Sequence, residues 1–378
     1  MKGENSLALK IYERGLNKVK IGTDDERTRL QSIYNKLRRA QDPGKSLDPL
    51  EFLPVELAAM LRFLEIHGSS VIGNSLVSSL PYASHLESIF VSNDKITISV
   101  VLDVLRACRR TLVKAGFLQI VGQRTDSLGE WPKLDALEKL HLGVASAMLT
   151  LNIPELIKAA PNIQVLWLSN WNLTPSADMS PWTELQDLDL RDTHFDRLPR
   201  LPPTLRRLTL RNALDIGHDS LEAQGENMLP LLEMFECSRT YVCDGFIKAI
   251  TRESITRGNL KELHIGRRAV EPRINIEEEY PSSESLEVLS LAYLMTPEDY
   301  LMVIVGRCPN LRSVDVSGTN ITGVAVKSFV KQGIVTLRLN ECYGVGSDAV
   351  DWARSQGVEV MFNASSGSSG LRAAWNAI

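Results

Sequence analysis

The side chains able to act as nucleophiles, bases or metal ligands lie far apart in this sequence. Six histidines form no H-x-x-x-H or H-E-x-x-H pattern: His67, His85, His141, His194, His218 and His264. Five cysteines include no C-x-x-C pair: Cys108, Cys237, Cys243, Cys308 and Cys342. Metal centres and disulfide frameworks need closer spacings than these. With no Walker loop and no G-x-S-x-G motif, the sequence predicts a protein that is not an enzyme, with no catalytic residues, no metal and no cofactor.

Recognition is the chemistry that the sequence does suggest. Tryptophan and arginine side chains, which are enriched at binding hot spots, stand between regularly spaced leucines. Trp167 and Trp171 form an aromatic group, and Arg191, Arg207 and Arg211 form a basic one. An ordinary surface is the alternative. The candidate binding residues are Trp167, Trp171, Asp189, Arg191, Arg207, Arg211, His264 and Arg338.

Composition sets broad limits on these interpretations. The chain has 378 residues, 44% of them hydrophobic, and a formal net charge of −4. These values are ordinary for a globular protein, and the balanced charge argues against nucleic acid as a partner. No apolar run is long enough for a signal peptide or a membrane span. We therefore expect an intracellular protein of the nucleus or cytoplasm that has no membrane partner.

A repeated pattern of the form L-x-x-L-x-L, in which other apolar residues can replace leucine, positions the candidate residues. The eleven matches begin at Leu86, Ala115, Leu137, Ile163, Leu185, Leu205, Leu232, Leu260, Leu286, Leu311 and Ile334. In "LRRLTL" from Leu205, apolar and polar residues alternate, which predicts a half-buried strand. Such short strands need to stack on one another to bury a continuous core.

This register resembles the leucine-rich-repeat family, which implies an α/β solenoid with a parallel sheet on its concave face. Apolar spacings of three and four predict connecting helices at 98–110, 244–255, 297–308 and 323–333. The prolines of 195–204 predict an extended crossing instead. The segment from Leu337 resembles the cysteine-containing subtype, with Cys342 packed inward and Thr319 at the same position one repeat earlier.

The region before the repeats is predicted to be helical. Residues 1–43 resemble the end of a tetratricopeptide array, because Ala8, Tyr12 and Gly15 follow its small–aromatic–small order. A generic helical hairpin is the alternative. The segment "LDPLEFLPVELAAMLRFLEI" from Leu47 predicts a very apolar helix, with Pro54 in its first turn.

That helix resembles the first half of an F-box, a motif that docks a Skp-type adaptor. The resemblance rests on Leu53-Pro54 and Phe63-Leu64, whereas the Val-Cys and Trp of the second half are missing. The order of segments resembles the fungal tetratricopeptide–F-box–leucine-rich-repeat group. A helix that only caps the repeat stack is the alternative. The adaptor-binding residues that the resemblance implies are Leu53, Pro54, Leu57, Met60, Leu61 and Leu64.

The sequence therefore predicts five segments. They are a helical hairpin (1–43), a partial F-box helix (47–66), a junction (67–83), a solenoid of about eleven repeats (84–362) and a flexible tail (363–378). The family resemblance implies a substrate receptor of an SCF-type ubiquitin ligase, which holds a protein substrate on the repeats. The alternative is a leucine-rich-repeat scaffold or GTPase regulator without ligase function.

Overall fold

A computed structural model of the chain describes residues 7–12, 61–67, 80–122, 130–145, 149–174, 177–213, 216, 228–240, 242, 245–266 and 280–363. The chain divides into two compact units, residues 1–195 (unit 1) and 196–378 (unit 2). Each unit consists of repeats in which one short strand is followed by a turn and a return segment.

Unit 1 contains a parallel sheet of consecutive repeats. Its strands are β1 (Leu7–Tyr12), β2 (Leu61–His67), β3 (Ser88–Thr97), β4 (Lys114–Val121), β5 (Lys139–Val144), β7 (Val165–Ser169) and β9 (Asp187–Asp189). Two short strands, β6 (Thr150–Leu151) and β8 (Asn172–Leu173), pair separately. Its helices are α1 (Ile98–Cys108) and α2 (Ile153–Ala159), each with an N-terminal side-chain cap, from Thr97 and Asn152 respectively.

Unit 2 follows the same plan with shorter strands. They are β10 (Arg207–Thr209), β11 (Met234–Glu236), β12 (Glu262–His264), β13 (Val288–Ser290), β14 (Ser313–Asp315), β15 (Thr336–Arg338) and β16 (Glu359–Met361), all parallel. The helices are α3 (Phe246–Thr256), α4 (Glu298–Gly306), α5 (Gly323–Gln332) and α6 (Ser347–Ser355).

All eleven predicted repeats contain a strand, and the four predicted helices are confirmed as α1, α3, α4 and α5. No helix forms within 195–204, as its prolines predict. Helices α2 and α6 were not predicted, nor was the last strand, β16.

One repeat has a different register from the predicted one. Ala115 pairs with Leu140 and Phe117 with Leu142, so the repeat starts at Leu112 and not at Ala115. The turns support the start at Leu112. In many repeats, a positive φ occurs two residues after the last inward-facing side chain of the strand. In unit 1 these residues are Gln119, Asn170 and Asp192.

The N-terminal prediction is wrong where the structure describes the chain. Residues 7–12 form β1 and 61–67 form β2, not helices. Leu64 and Ile66 are buried and pair with the core positions Ile89 and Val91 of β3. The segment "LRFLEI" from Leu61 is thus another L-x-x-L-x-L repeat, whose buried side chains alternate with period 2. The rest of the predicted hairpin and of 47–60 lies outside the described residues.

The turns are tied together by side chains that reach back one repeat. Thr193 donates a hydrogen bond to the carbonyl of Leu168, and Thr240 does the same to Leu210. Cys342 donates to the carbonyl of Val316 at 3.1 Å, and burial raises the pKa of its thiol. The inward packing predicted for Cys342 is confirmed. Buried carbonyls need such partners because an unpaired one destabilises the fold.

Candidate functional site

The strand face of unit 1 is formed by the side chains that alternate with the buried leucines. One row runs through the fifth position of successive repeats, where each residue is the cross-strand partner of the next. The row is Phe90, Gly116, His141, Trp167 and Asp189. Two positions earlier, a parallel row includes Lys114, Lys139 and Asp187. We call these two rows the recognition face.

A stacked pair of rings lies at the centre of the recognition face. The rings of His141 and Trp167 are 4.0 Å apart between centroids and inclined by only 7°. Trp167 remains 40% exposed, although its indole N–H donates to Asp187 Oδ1 at 3.2 Å. Stacking and hydrogen bonding hold the ring in place, so it can offer apolar area with little loss of side-chain entropy.

The histidine of this pair is neutral near pH 7. Burial lowers the pKa of His141 from 6.5 to about 4; the carboxylate of Asp189 opposes the shift and Lys139 adds to it. A neutral imidazole stacks on the indole without the hydration demand of a cation. His141 therefore serves as a rigid support for Trp167 over the physiological pH range.

An ion pair borders the stacked rings. Asp189 is only 4% exposed, and its Oδ2 accepts hydrogen bonds from Nε of Arg191 at 2.8 Å and from Nη2 of the same residue. Its Oδ1 accepts from the backbone N–H of Arg191 at 2.9 Å. Both guanidinium N–H groups thus share one carboxylate oxygen while the backbone occupies the other, and charge-assisted bonds of this kind are stronger than neutral ones. Asp189 thus positions the exposed guanidinium and is itself largely closed to a ligand.

Glycine in the neighbouring strand leaves room for the ring of Phe90. A Cβ added to Gly116 would stand 2.5 Å from Cδ2 of Phe90. The ring of Phe90 therefore rests directly on the backbone of β4. The space that a side chain at position 116 would need is thus taken by this ring, and any larger residue there would displace it.

Unit 2 holds the other predicted binding residues. Arg207, Arg211 and Arg338 are exposed, and His264 lies 3.6 Å from a carboxylate oxygen of Glu262. Arg191 belongs to unit 1 and Arg207 and Arg211 to unit 2, so the basic group stays a prediction.

Trp171 is a correction to the predicted site. It is fully buried, and its indole N–H donates to the carbonyl of Leu142 at 2.9 Å. It occupies the same inward turn position as Thr193 one repeat later, three residues after the last strand leucine. That position faces the core, so Trp171 stabilises the turn and offers nothing to a ligand.

Most of the predicted adaptor-binding residues lie outside the described residues. They are Leu53, Pro54, Leu57 and Met60. Leu61 and Leu64 lie in β2, where Leu64 is 3% exposed. The prediction that Leu64 lies on an adaptor-binding helix is wrong, because its side chain packs in the core of the sheet.

The predicted binding residues omit most of the recognition face, including Lys114, Lys139, Phe90 and His141. The predicted start at Ala115 leaves Lys114 outside its repeat, so the pattern does not identify Lys114 as an outward residue. Phe90 and His141 occupy outward positions of the pattern, but only the paired strands show that the ring of Phe90 contacts Gly116 and that the ring of His141 stacks on Trp167. A repeat that starts at Leu112 places Lys114 beside Lys139, and this start is visible in the sequence.

The described residues contain no group of three or more His, Cys, Asp or Glu side chains able to hold a metal ion. Burial raises the pKa of Cys108 to about 12 and also raises that of Cys308, so these thiols are poor nucleophiles. Among the residues that the structure describes, no helix is long and apolar enough to cross a membrane.

Comparison with known proteins supports the fold alone. No protein-family model and no curated protein matches the sequence. The structure resembles an internalin (inlF) of Listeria monocytogenes, with a TM-score of 0.51 and 14% identity over 89% of this chain and 95% of that one. Weaker matches are a TLR13–ssRNA13 complex (TM-score 0.36, 15% identity, 77% of this chain and 53% of that one) and YopM of Yersinia enterocolitica (0.34, 17%, 74% and 55%).

The internalin is a leucine-rich-repeat protein. This likeness, the parallel strands and the repeated inward turns show that the chain has an α/β leucine-rich-repeat solenoid fold.

Proposed function

We propose that this chain is a protein-recognition module without catalytic activity, and that the recognition face of unit 1 binds its partner. The observation that carries the proposal is the His141–Trp167 stack, which holds a large apolar side chain 40% exposed on a rigid sheet. Tryptophan in such a rigid setting is the residue type most enriched among binding hot spots. The buried row of leucines behind it fixes the backbone, so little order has to be gained on binding.

Site-specific photocrosslinking tests this proposal. A photoreactive amino acid would replace Val165, which lies beside Trp167 on the recognition face, or Lys158, an exposed residue of α2. We expect discrete protein adducts from position 165 in extracts of the source cells, and none of the same proteins from position 158. The captured protein, made recombinantly, would then bind the unaltered chain at least tenfold more tightly than Trp167→Ala. Adducts confined to position 158 would contradict the proposal.

A narrower hypothesis is a substrate receptor of an SCF-type ubiquitin ligase, in which a Skp-type adaptor docks near the N-terminus. Its support is the F-box resemblance at Leu53-Pro54 and Phe63-Leu64. With 61–67 in β2, such a helix would have to lie within 47–60. The burial of Leu64 and Ile66 favours the alternative, a scaffold or GTPase regulator without ligase function.

Adaptor binding separates the two hypotheses. Binding of the full chain to a Skp-type adaptor, abolished by Leu57→Asp but kept in Trp167→Ala, would support ligase attachment. If the unaltered chain does not bind the adaptor while the recognition face binds its partner, the chain acts as a recognition module alone.

A further inference from the structure

The recognition face carries an uncompensated pair of positive charges beside its aromatic centre. Lys114 and Lys139 are directly opposed across β4 and β5. Neighbouring strands lie about 4.8 Å apart, and like charges placed directly opposite each other destabilise a sheet. Within the described part of the chain, neither ammonium group has an ion-pair partner, whereas Arg62, Arg206 and Lys261 each pair with a carboxylate one repeat away.

An anionic ligand group would relieve this repulsion. It would lie between two ammonium groups, beside the point where the ring of Phe90 contacts Gly116. A ligand that brings its own negative charge gains from both lysines at once. The gain is larger where the ligand also excludes water from the adjoining rings.

The position of the aromatic centre sets a spacing for the ligand. Lys139 and Trp167 are one strand and two residues apart, a separation on the order of 8 Å in a sheet. In an extended peptide, side chains two residues apart project to the same side at about 6.6 Å. An anionic residue and an aromatic residue at positions i and i+2 therefore match the lysine and the tryptophan.

We propose that unit 1 recognises an extended protein segment in which an anionic side chain and an aromatic side chain, two positions apart, contact Lys114/Lys139 and Trp167 respectively. The anion is a carboxylate or a phosphate. A single-stranded nucleic acid could also place a base on Trp167, but the carboxylate of Asp187 on the next strand repels a phosphate chain. Charge complementarity therefore favours a protein segment.

This inference rests on the proposed function and has its own test. A random peptide library displayed on phage would be selected against the full chain, and in parallel against Trp167→Ala, Lys114→Glu/Lys139→Glu and Lys158→Glu. We expect enrichment of Asp or Glu two positions from Trp, Tyr or Phe on the unaltered chain and on Lys158→Glu. The enriched peptide, labelled with fluorescein, should lose at least tenfold in affinity on either of the other variants and weaken as salt is added.

Further measurements distinguish phosphate from carboxylate, and a peptide ligand from RNA. A synthetic version with phosphoserine in place of the acidic residue shows whether phosphate binds more tightly than carboxylate. Enrichment of basic peptides, of no motif, or of a motif that the double lysine variant still binds would overturn the inference. Tight binding of a labelled mixed-sequence RNA that Trp167→Ala abolishes, without any peptide motif, would assign the face to nucleic acid instead.

The two proposals can fail separately. If position 165 crosslinks to a partner whose affinity does not change in the lysine variant, the proposed function stands and the acidic–aromatic inference fails. If position 165 crosslinks to no protein, the proposed function fails as well.

Discussion

The two units share a buried plan and differ on their exposed strand positions. In both units, leucine and other apolar side chains alternate inward along parallel strands, and turn side chains reach back one repeat. Outward, unit 1 presents stacked rings and two adjacent lysines that have no ion-pair partner among the described residues. On its outward strand positions, unit 2 combines exposed arginines, Arg207 and Arg338, with polar residues that bond within their own repeat, as Glu236 does with Ser238 and Asp315 with the backbone of Ser317. The same repeat plan thus carries outward positions with a rigid aromatic centre in unit 1 and outward positions of mixed polar and charged residues in unit 2.

The largest effect that we expect comes from a charge placed in the buried part of β2. Leu64→Asp should lower the free energy of unfolding by about 5 kcal/mol, because a carboxylate at a core position has no partner. Urea denaturation would measure this loss. Arg62→Asp in the same strand is the control; it breaks only an exposed ion pair with Glu87 and should cost about 1 kcal/mol or less. If Leu64→Asp and Arg62→Asp were equally stable, the strand assignment would be contradicted and the predicted exposed helix would be favoured instead.

The second prediction contrasts two tryptophans only four residues apart. Trp171→Ala should destabilise the protein by about 3–5 kcal/mol, since it leaves a cavity and removes the hydrogen bond to the Leu142 carbonyl. Trp167→Ala should cost about 1 kcal/mol, mainly the lost stacking with His141, while removing partner binding. Urea denaturation and binding, measured on the same preparations, test the contrast. If Trp167→Ala is more destabilising than Trp171→Ala, the assignment of Trp171 to the core and of Trp167 to the surface is contradicted.

The third and smallest stability effect is the pH dependence that His141 contributes. Its pKa is lowered from 6.5 to about 4, so the unfolded chain binds a proton at this site between those pH values and the folded chain does not. Stability from this residue is present above about pH 6.5 and is lost as the pH falls toward 4, by about 1–2 kcal/mol. Unfolding measured at pH 7 and pH 4.5 should show a larger drop for the unaltered chain than for His141→Phe. Parallel pH profiles of the two chains would rule this contribution out.

The repeat plan was readable from sequence because it depends on local spacing alone. All eleven predicted strands form, since the alternating pattern gives one buried face wherever it occurs. The segment from Leu61 shows where local spacing is not enough to distinguish a helix from a strand. Leu61 and Leu64 suit a helical face, while Leu64 and Ile66 suit a strand, and only pairing with β3 decides between them. The apolar residues before Leu61 extended the helical pattern and led to the wrong interpretation there.

The recognition face was less predictable than the core. Whether an outward residue is exposed depends on the rotamers and sizes of its neighbours in adjacent strands, which lie more than twenty residues away in the sequence. Trp167 and Trp171 look alike in sequence, yet one lies outward on a strand and the other inward in a turn. The alternation itself held a usable signal, because Trp171 lies three residues past the last strand leucine, where Thr193 and Cys342 also point inward.

The most direct test of the central claim compares the two units in one binding experiment. The partner captured at position 165 would be titrated against the unaltered chain, Trp167→Ala in unit 1 and Arg338→Ala in unit 2, with stability checked for each. We expect at least a tenfold loss of affinity for Trp167→Ala and a change of no more than about twofold for Arg338→Ala, whose side chain is exposed in β15. A tenfold loss in Arg338→Ala with none in Trp167→Ala would move the binding site to unit 2 and contradict the account.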